Sequence, residues 1–340
     1  MVTQSAEILK QSVLEVNSST FDALALDIFR FQAEQNPVYR RYLQYLGIDP
    51  SQINSILSIP FLPIEFFKTQ QVITGNVPAK VVFESSGTTG LQTSRHFVHD
   101  PDFYIKVAIQ IFEKFYGSLK DFQILALLPS YLERNNSSLV YMVKHFIEQT
   151  GSEHSGFYLN EYQSLLDALQ KAHTQNPKAK VLLIGVTFGL LDLAESGLDF
   201  SFMKDFEQVV VMETGGMKGR RKEMLREEIH EILTQAFSVN SIHSEYGMTE
   251  LLSQGYSFGE GIFELPASMK VLLRDVNDPF AWVDSSARSG GVNVIDLANV
   301  DSCSFIETKD LGAFLPDNQR FRILGRFDNS DIRGCNLMVL

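Results

Sequence analysis

Lys180-Val181-Leu182-Leu183-Ile184-Gly185-Val186 is a short, unbroken apolar run that opens on a lysine and closes around a glycine. A run this short and this rich in β-branched side chains reads as a buried strand. Gln208 to Met212 and Gln123 to Leu128 repeat the pattern. Between and after these runs, Glu161 to Ala172 and Arg220 to Phe237 carry helical periodicity, the second with mixed charges suited to a solvated face. Strands that alternate with helices predict an α/β fold. Upstream, Phe21, Leu24, Ala25, Ile28 and Phe29 recur at helical spacing between Ser18 and Gln35, after a Ser-Ser-Thr cluster suited to capping. Downstream, Ile262 to Leu265, Lys270 to Leu273 and Gly291 to Ile295 alternate between Gly-rich turns and predict a smaller β-rich subdomain. The expected divisions are an α/β core with N-terminal helices over 1–255, a β-rich subdomain over 256–328 and a short tail over 329–340.

The 340 residues are 44% hydrophobic and 21% charged, enough to bury a large core. A net charge of -12 disfavours an electrostatic grip on nucleic acid or anionic lipid. Two cysteines, Cys303 and Cys335, are too few for a disulfide framework. A reducing cytoplasm is the simplest setting, because the opening residues lack a leader pattern and no run of about 18 apolar residues occurs.

The strongest local signal is Val81-Val82-Phe83-Glu84-Ser85-Ser86-Gly87-Thr88-Thr89-Gly90, an apolar run that breaks into six small residues. Gly87 and Gly90 permit close backbone approach to an anion. Ser85, Ser86, Thr88 and Thr89 add hydroxyl donors without bulk. That chemistry suits nucleotide phosphates, although a flexible polar turn would have the same composition. The loop lacks the Gly-Lys-Ser/Thr of a Walker A sequence. Arg95, just beyond, has the guanidinium fork that neutralises phosphate charge, whereas His96 and His99 read equally as structural residues.

Two further clusters stand out, the first directly after the apolar Val209-Val210-Val211 run. Met212-Glu213-Thr214-Gly215-Gly216-Met217 places glycines at a strand end, where open α/β sheets bind ligands. Ser244-Glu245-Tyr246-Gly247-Met248-Thr249-Glu250 combines an aromatic, a glycine, a hydroxyl and a carboxylate. Tyr246 could stack on a base and Glu250 could hold magnesium, or both could be core and turn residues.

Ser85 to Gly90, Tyr246 to Glu250, Thr308-Lys309-Asp310-Leu311-Gly312 and Gly325-Arg326-Phe327-Asp328, in that order, resemble the adenylate-forming superfamily of acyl-CoA synthetases, luciferases and peptide-synthetase adenylation domains. The resemblance implies ATP and Mg2+ as cofactors. It implies that Ser85, Ser86, Gly87, Thr88, Thr89 and Gly90 bind phosphates. Glu213, Thr214, Gly215 and Gly216 would border adenine, Tyr246, Gly247 and Thr249 would serve ATP, and Glu250 would bind the metal. Asp310 and Arg326 would contact the ribose, and Asp328 would sit at a hinge. Members of the superfamily usually continue past that hinge into a domain bearing a catalytic lysine. Here twelve residues follow Asp328, so the expected fold is the large N-terminal domain with a β-rich subdomain, lacking the usual C-terminal lysine-bearing domain. Arg95, Lys218, Arg220 or Arg221 would then supply cationic catalysis, or a second protein would.

The tail from Gly325 to Leu337, with Glu213 to Arg221, is similar to the acyl-protein synthetase branch, the LuxE-type ligases of bacterial fatty-acid reductase systems. In that family a cysteine near the C-terminus carries the acyl group, and Cys335 is the matching position. The implied activity is ATP-dependent activation of a carboxylic, fatty, acid to an acyl adenylate, capture of the acyl group by Cys335 as a thioester, and delivery to a partner such as a fatty acyl reductase. A lone cysteine can equally be a small buried hydrophobe. The 26 phenylalanines leave room for an acyl tunnel, with Gly185 to Gly189 as its wall, although core packing accounts for most of them. Two rival readings are a CoA ligase resembling phenylacetate-CoA ligases and a non-catalytic scaffold that binds nucleotide or acyl groups.

Overall fold

A computed structural model describes residues 5–85, 92–128, 136–175, 180–215, 221, 224–283, 289–317 and 319–326. Helices α1 (Ala6–Leu14), α2 (Phe21–Gln35) and α3 (Pro37–Tyr45) open the chain, followed by strand β1 (Leu62–Pro63) and helix α4 (Phe66–Thr69). A hairpin of β2 (Val81–Glu84) and β3 (Arg95–Val98) leads into α5 (Pro101–Tyr116) and β4 (Phe122–Leu127). Next come α6 (Ser138–Thr150), β5 (Gly156–Phe157), α7 (Tyr162–Gln175), β6 (Lys180–Gly185) and α8 (Thr187–Ala194). After these lie β7 (Val209–Glu213), α9 (Arg226–Phe237), β8 (Ile242–Tyr246), β9 (Gly255–Ser257) and β10 (Ile262–Glu264). Strands β11 (Met269–Arg274), β12 (Gly290–Asp296), β13 (Phe305–Phe314) and β14 (Phe321–Arg326) follow.

The chain is α/β, and its contacts divide it into two compact units. Pro78–Pro266 is one; residues through Val77 and from Ala267 form the other. The sequence boundaries placed the N-terminal helices with the α/β core, whereas the contacts group them with the last strands.

In Pro78–Pro266 the strands run β5-β4-β6-β7-β8-β9-β10. From β5 to β8 every pairing is parallel, and β9 and β10 add antiparallel strands at one side. Parallel strands need helices over both faces, which is why β4 is buried at all six positions and reads as an unbroken apolar run. Helix α5 begins where Asp100 accepts the Phe103 N–H at 3.1 Å with Pro101 in its first turn, and stops at Gly117, whose φ of 87° no other residue adopts easily.

In the other unit β11-β12-β13-β14 form an antiparallel sheet, with β1 parallel to β13. Helix α2 is tied to this unit by Gln32, which is fully buried. Its amide donates to Asn299 O, Val300 O and Ser304 Oγ, and accepts from the Ser304 N–H at 3.0 Å. The expected hydroxyl cap of α2 does not form. Thr20 instead turns its Oγ1 back to Asn17, accepting that residue's N–H at 3.1 Å. Among the described residues no helix is long and apolar enough to cross a membrane.

Candidate active site

Because β4, β6, β7 and β8 are parallel, their C-terminal ends lie on one edge. The chain passes from β4 outward to β5 and then returns to β6 on the other side of β4. That reversal of strand order is where open α/β sheets form ligand crevices. The segments at this edge are Gly185–Thr187, Glu213–Gly215 and Tyr246–Glu250. The second and third are those singled out from sequence as nucleotide-binding, and the first belongs to the Gly185–Gly189 stretch expected to wall an acyl tunnel, in which Val186 and Phe188 are buried in the core.

Glu213 closes β7 and is 3% exposed. Its Oε2 accepts from Thr187 Oγ1 at 3.0 Å and from the Gly215 N–H at 2.6 Å. Arg226 Nε and His230 Nε2, one turn apart on α9, stand 3.6 and 3.8 Å from Oε1. Burial alone pushes this carboxyl up, but the facing His230, Arg226, Ser244 and Gly215 groups outweigh it and hold the pKa at about 2. At 3.8 Å His230 lies beyond hydrogen-bonding distance, so the Arg226 charge and the two short bonds to Oε2 are the firmer causes. Glu213 is therefore an anion that fixes the strand end rather than a proton donor. Thr214 donates its N–H to Gly185 O at 3.1 Å, and its shielded hydroxyl has no hydrogen-bond partner among the described residues. Gly215 takes a φ of 78°, with open space where a Cβ would stand.

Tyr246 is 7% exposed, with its ring centroid 5.7 Å from that of Phe263, whose ring also carries the Arg226 guanidinium at 5.3 Å. A Cβ at Gly247 would meet the Glu245 carboxylate, which would have to shift to admit it. The turn beyond is closed by the Leu251 N–H donating to Met248 O at 3.0 Å, and Glu250 within it is buried at 5% exposure. The hairpin meets this turn, since His96 Nδ1 lies 2.8 Å from Thr249 O. Burial lowers His96 to about 4, so its ring is neutral. At the hairpin neck Ser85 donates its N–H to Ser94 O at 3.0 Å, and its hydroxyl accepts the Ser94 N–H at 2.9 Å. Arg95 opens β3 opposite Glu84, its guanidinium 5.6 Å from the Phe97 ring.

The unit completed by residues from Ala267 onward holds the remaining described candidates. Asp310 and Arg326 face one another across β13 and β14, joined at 3.1 Å. Ser86, Gly87, Thr88, Thr89, Gly90, Gly216, Lys218, Arg220, Asp328 and Cys335 lie outside the described residues. Arg221 is committed to Asp192 and, at 2.8 Å, to Glu195, which removes it as a free cation. Cys303 is fully buried and pushed up to about 12 by that burial, an inert core thiol.

Sequence reasoning missed Arg226, His230 and Glu245, and it placed Thr187 in an acyl-tunnel wall without its bond to Glu213. Arg226 and His230 carried a signal in their four-residue spacing on the outer helix, but their common target becomes visible only once β7 is placed beside α9. Glu245 is pushed up to about 8 by burial and then by the Glu213 charge. A cavity of about 400 Å³ lies at the opposite edge of the parallel sheet, lined by Phe115, Tyr116, Lys180, Met203, Phe206 and Asn240. Lys180 there already donates to Tyr116 O at 3.1 Å and covers the Phe122 ring.

The donor set at the C-terminal edge fits a nucleotide. Thr214 has hydroxyl capacity to spare, Gly215 leaves open space, and Glu250 supplies a carboxylate. No group of three metal-ligating side chains occurs among the described residues. A magnesium ion held mainly by phosphate and water needs only one or two carboxylates.

Among solved structures, a mutant form of coronafacic acid ligase from Pectobacterium brasiliense matches with 15% identity and a TM-score of 0.42, over 66% of this chain and 43% of that one. The chain thus spans less than half the length of that relative. No curated protein matches. The model of the family "Acyl-protein synthetase, LuxE" matches residues 3–340, nearly the whole sequence, and the chain belongs to that family.

Proposed function

We propose that the protein uses ATP to activate a carboxylic acid, most simply a fatty acid, and transfers the acyl group to the Cys335 thiol and then to an acceptor protein such as an acyl reductase. The observation that carries this reading is that Thr214 and Gly215 follow β7 and Thr249 and Glu250 follow the adjacent β8 at the same edge of the parallel sheet, with the Ser85 hairpin bonded to the second of these turns. Family membership supports it independently. The domain boundaries near residues 255 and 328 belong to the same proposal.

The carboxylate oxygen of the acid attacks the α-phosphorus of ATP, and pyrophosphate leaves. The Cys335 thiolate then attacks the acyl carbonyl carbon, AMP leaves, and a thioester remains. Ser85, with the Ser86 to Gly90 loop, holds the phosphates, and Arg95 offsets leaving-group charge. Glu213, Thr214, Gly215 and Gly216 border the base, with Tyr246 and Gly247 beside it. Asp310 and Arg326 bind the ribose. Glu250 holds magnesium, which supplies charge stabilisation at the phosphates. The chain's contribution is positioning: a fixed Glu213 anion and a closed turn at Thr249 keep the donors in place before the nucleotide arrives.

Intact-protein mass spectrometry after incubation with ATP, magnesium and a panel of fatty and aromatic acids tests the proposal. The expected result is a hydroxylamine-sensitive acyl increment on the wild type and none on Cys335→Ser. Pyrophosphate release without any mass gain would transfer the reading to a CoA ligase. Absence of acid-dependent ATP–pyrophosphate exchange would leave only the scaffold.

A further inference from the structure

The β2–β3 hairpin and the turn after β8 are remote in sequence, and His96 crosses 153 residues to join them through Thr249. The geometry makes this a directed bond. His96 is 1% exposed, sits opposite Phe83 in the hairpin register, and its Nδ1 faces a carbonyl oxygen at 2.8 Å. A carbonyl only accepts, so Nδ1 carries the proton and the ring is the neutral Nδ1–H tautomer. Burial supports the neutral state, since it holds the group at about 4.

Both ends of the bond are themselves held. On one side the Ser85 and Ser94 bonds close the hairpin neck two residues from His96, and the Glu84 N–H donates to Asn136 O at 2.8 Å. On the other side the Leu251 bond to Met248 O closes the turn that contains Thr249 and Glu250.

We infer that His96 is a positioning residue that locks the Ser85 hairpin to the Thr249–Glu250 turn, so that the phosphate-holding and magnesium-holding groups move as one body. The inference rests on the reading given under Proposed function for the roles of those two segments. Its physical content is separate, because a lock between two loops exists whatever they bind. A ring that merely filled space would be replaceable by leucine. A lock demands an N–H at the Nδ1 position, which the asparagine amide nitrogen reproduces and the glutamine amide, one methylene longer, does not.

The test uses the full chain and its His96→Asn, His96→Gln and His96→Leu variants, in acid-dependent ATP–pyrophosphate exchange and in amide hydrogen exchange of residues 81–85 and 247–252. The inference expects kcat to fall about tenfold in His96→Gln and His96→Leu, the scale of one lost hydrogen bond, with KM for the acid unchanged. His96→Asn should recover to within about twofold of wild type. Both peptides should exchange faster together in the Gln and Leu variants and return together in the Asn variant. Wild-type kcat in all three variants, with only a lower melting temperature, overturns the lock. So does loosening confined to one peptide. If the wild type itself shows no acid-dependent exchange, the proposed function fails, and the paired hydrogen-exchange response alone decides whether His96 couples the segments.

Discussion

The two units differ in how they use buried polar side chains. In the unit made from both ends of the chain several such groups are closed onto the backbone, although the shielded Asn293 amide nitrogen has no hydrogen-bond partner among the described residues. Gln32 bonds to Asn299, Val300 and Ser304, and Asn36 donates to Thr74 Oγ1 and Ser302 O while accepting the Tyr39 N–H. Arg274, 4% exposed, donates to Val292 O, Asn293 Oδ1 and Thr308 O and lies 3.4 Å from Glu307. In Pro78–Pro266, by contrast, the hydroxyls of Thr214 and Tyr256 are shielded and have no hydrogen-bond partner among the described residues. A network that satisfies itself is rigid and has little left to offer a ligand, whereas unused donors at a strand end are capacity held in reserve. On this reading the first unit is scaffold apart from the Asp310, Arg326 and Cys335 roles proposed above, and the second carries the phosphate chemistry.

The sharpest way to break this contrast is Glu250→Gln. It is expected to lower acid-dependent ATP–pyrophosphate exchange by about 100-fold or more, as loss of a charged group acting on transition-state phosphate demands. Unchanged exchange would sink the metal assignment. The converse substitution is Gln32→Ala, expected to cost about 3 kcal/mol in urea unfolding, because several groups bonded to one amide lose their partner together. Exchange per folded molecule should stay at the wild-type rate; a specific loss of activity would move part of the chemistry into the scaffold. Gly291→Ala comes next. A Cβ there would meet Arg274 Cζ at 2.6 Å, and that guanidinium is pinned on several sides, so about 2 kcal/mol of destabilisation is expected by the same measurement.

The smallest effect concerns two carboxylates on adjacent strands. Glu213 titrates near 2, so its stabilisation is present above about 4.5 and is lost as pH falls toward about 2. Glu245 is the reverse. With its pKa raised from 4.5 to about 8, the folded chain keeps a proton that the unfolded chain releases, and stability falls as pH rises between those values. Glu245→Gln should remove that slope and raise stability at pH 8 by about 1 kcal/mol, a figure reduced for partial exposure to solvent. Parallel pH profiles for wild type and variant would show Glu245 to be uninvolved.

Much of the parallel sheet was legible because Lys180 to Val186, Gln208 to Met212 and Gln123 to Leu128 are buried on both faces, which forces an apolar run at strand length. The strands correspond within a residue or two. Helix α9 was expected to begin at Arg220 but starts at Arg226, where Glu228 accepts the Leu225 N–H, a local bond that charge periodicity does not encode. Strand β10 was read with the last third and β9 was not read as a strand, yet both extend the parallel sheet, because short alternating segments carry no label for the edge they join. Within the candidate site, glycines and hydroxyls at strand ends were visible as composition. The Glu213 cluster and the His96 bond were not, since each is a meeting of residues far apart in sequence and fixed only by strand order.

The first unit is assembled from both ends of the chain, and this has a consequence during synthesis. Gln32 and Ser304 are 272 residues apart. At about 5–20 residues per second, α2 leaves the ribosome at least about 14 seconds before its partner exists. Throughout that interval Phe29, which packs against both Tyr39 and Phe305 in the finished fold, lacks the second of these partners, and the face of α2 that it shares with Ala25 and Ile28 is only partly covered. Pro78–Pro266 can close in the meantime as a continuous stretch. The nascent protein therefore passes through a stage with its middle folded and its beginning still exposed, when a chaperone that recognises an amphipathic helix has its best opportunity to bind.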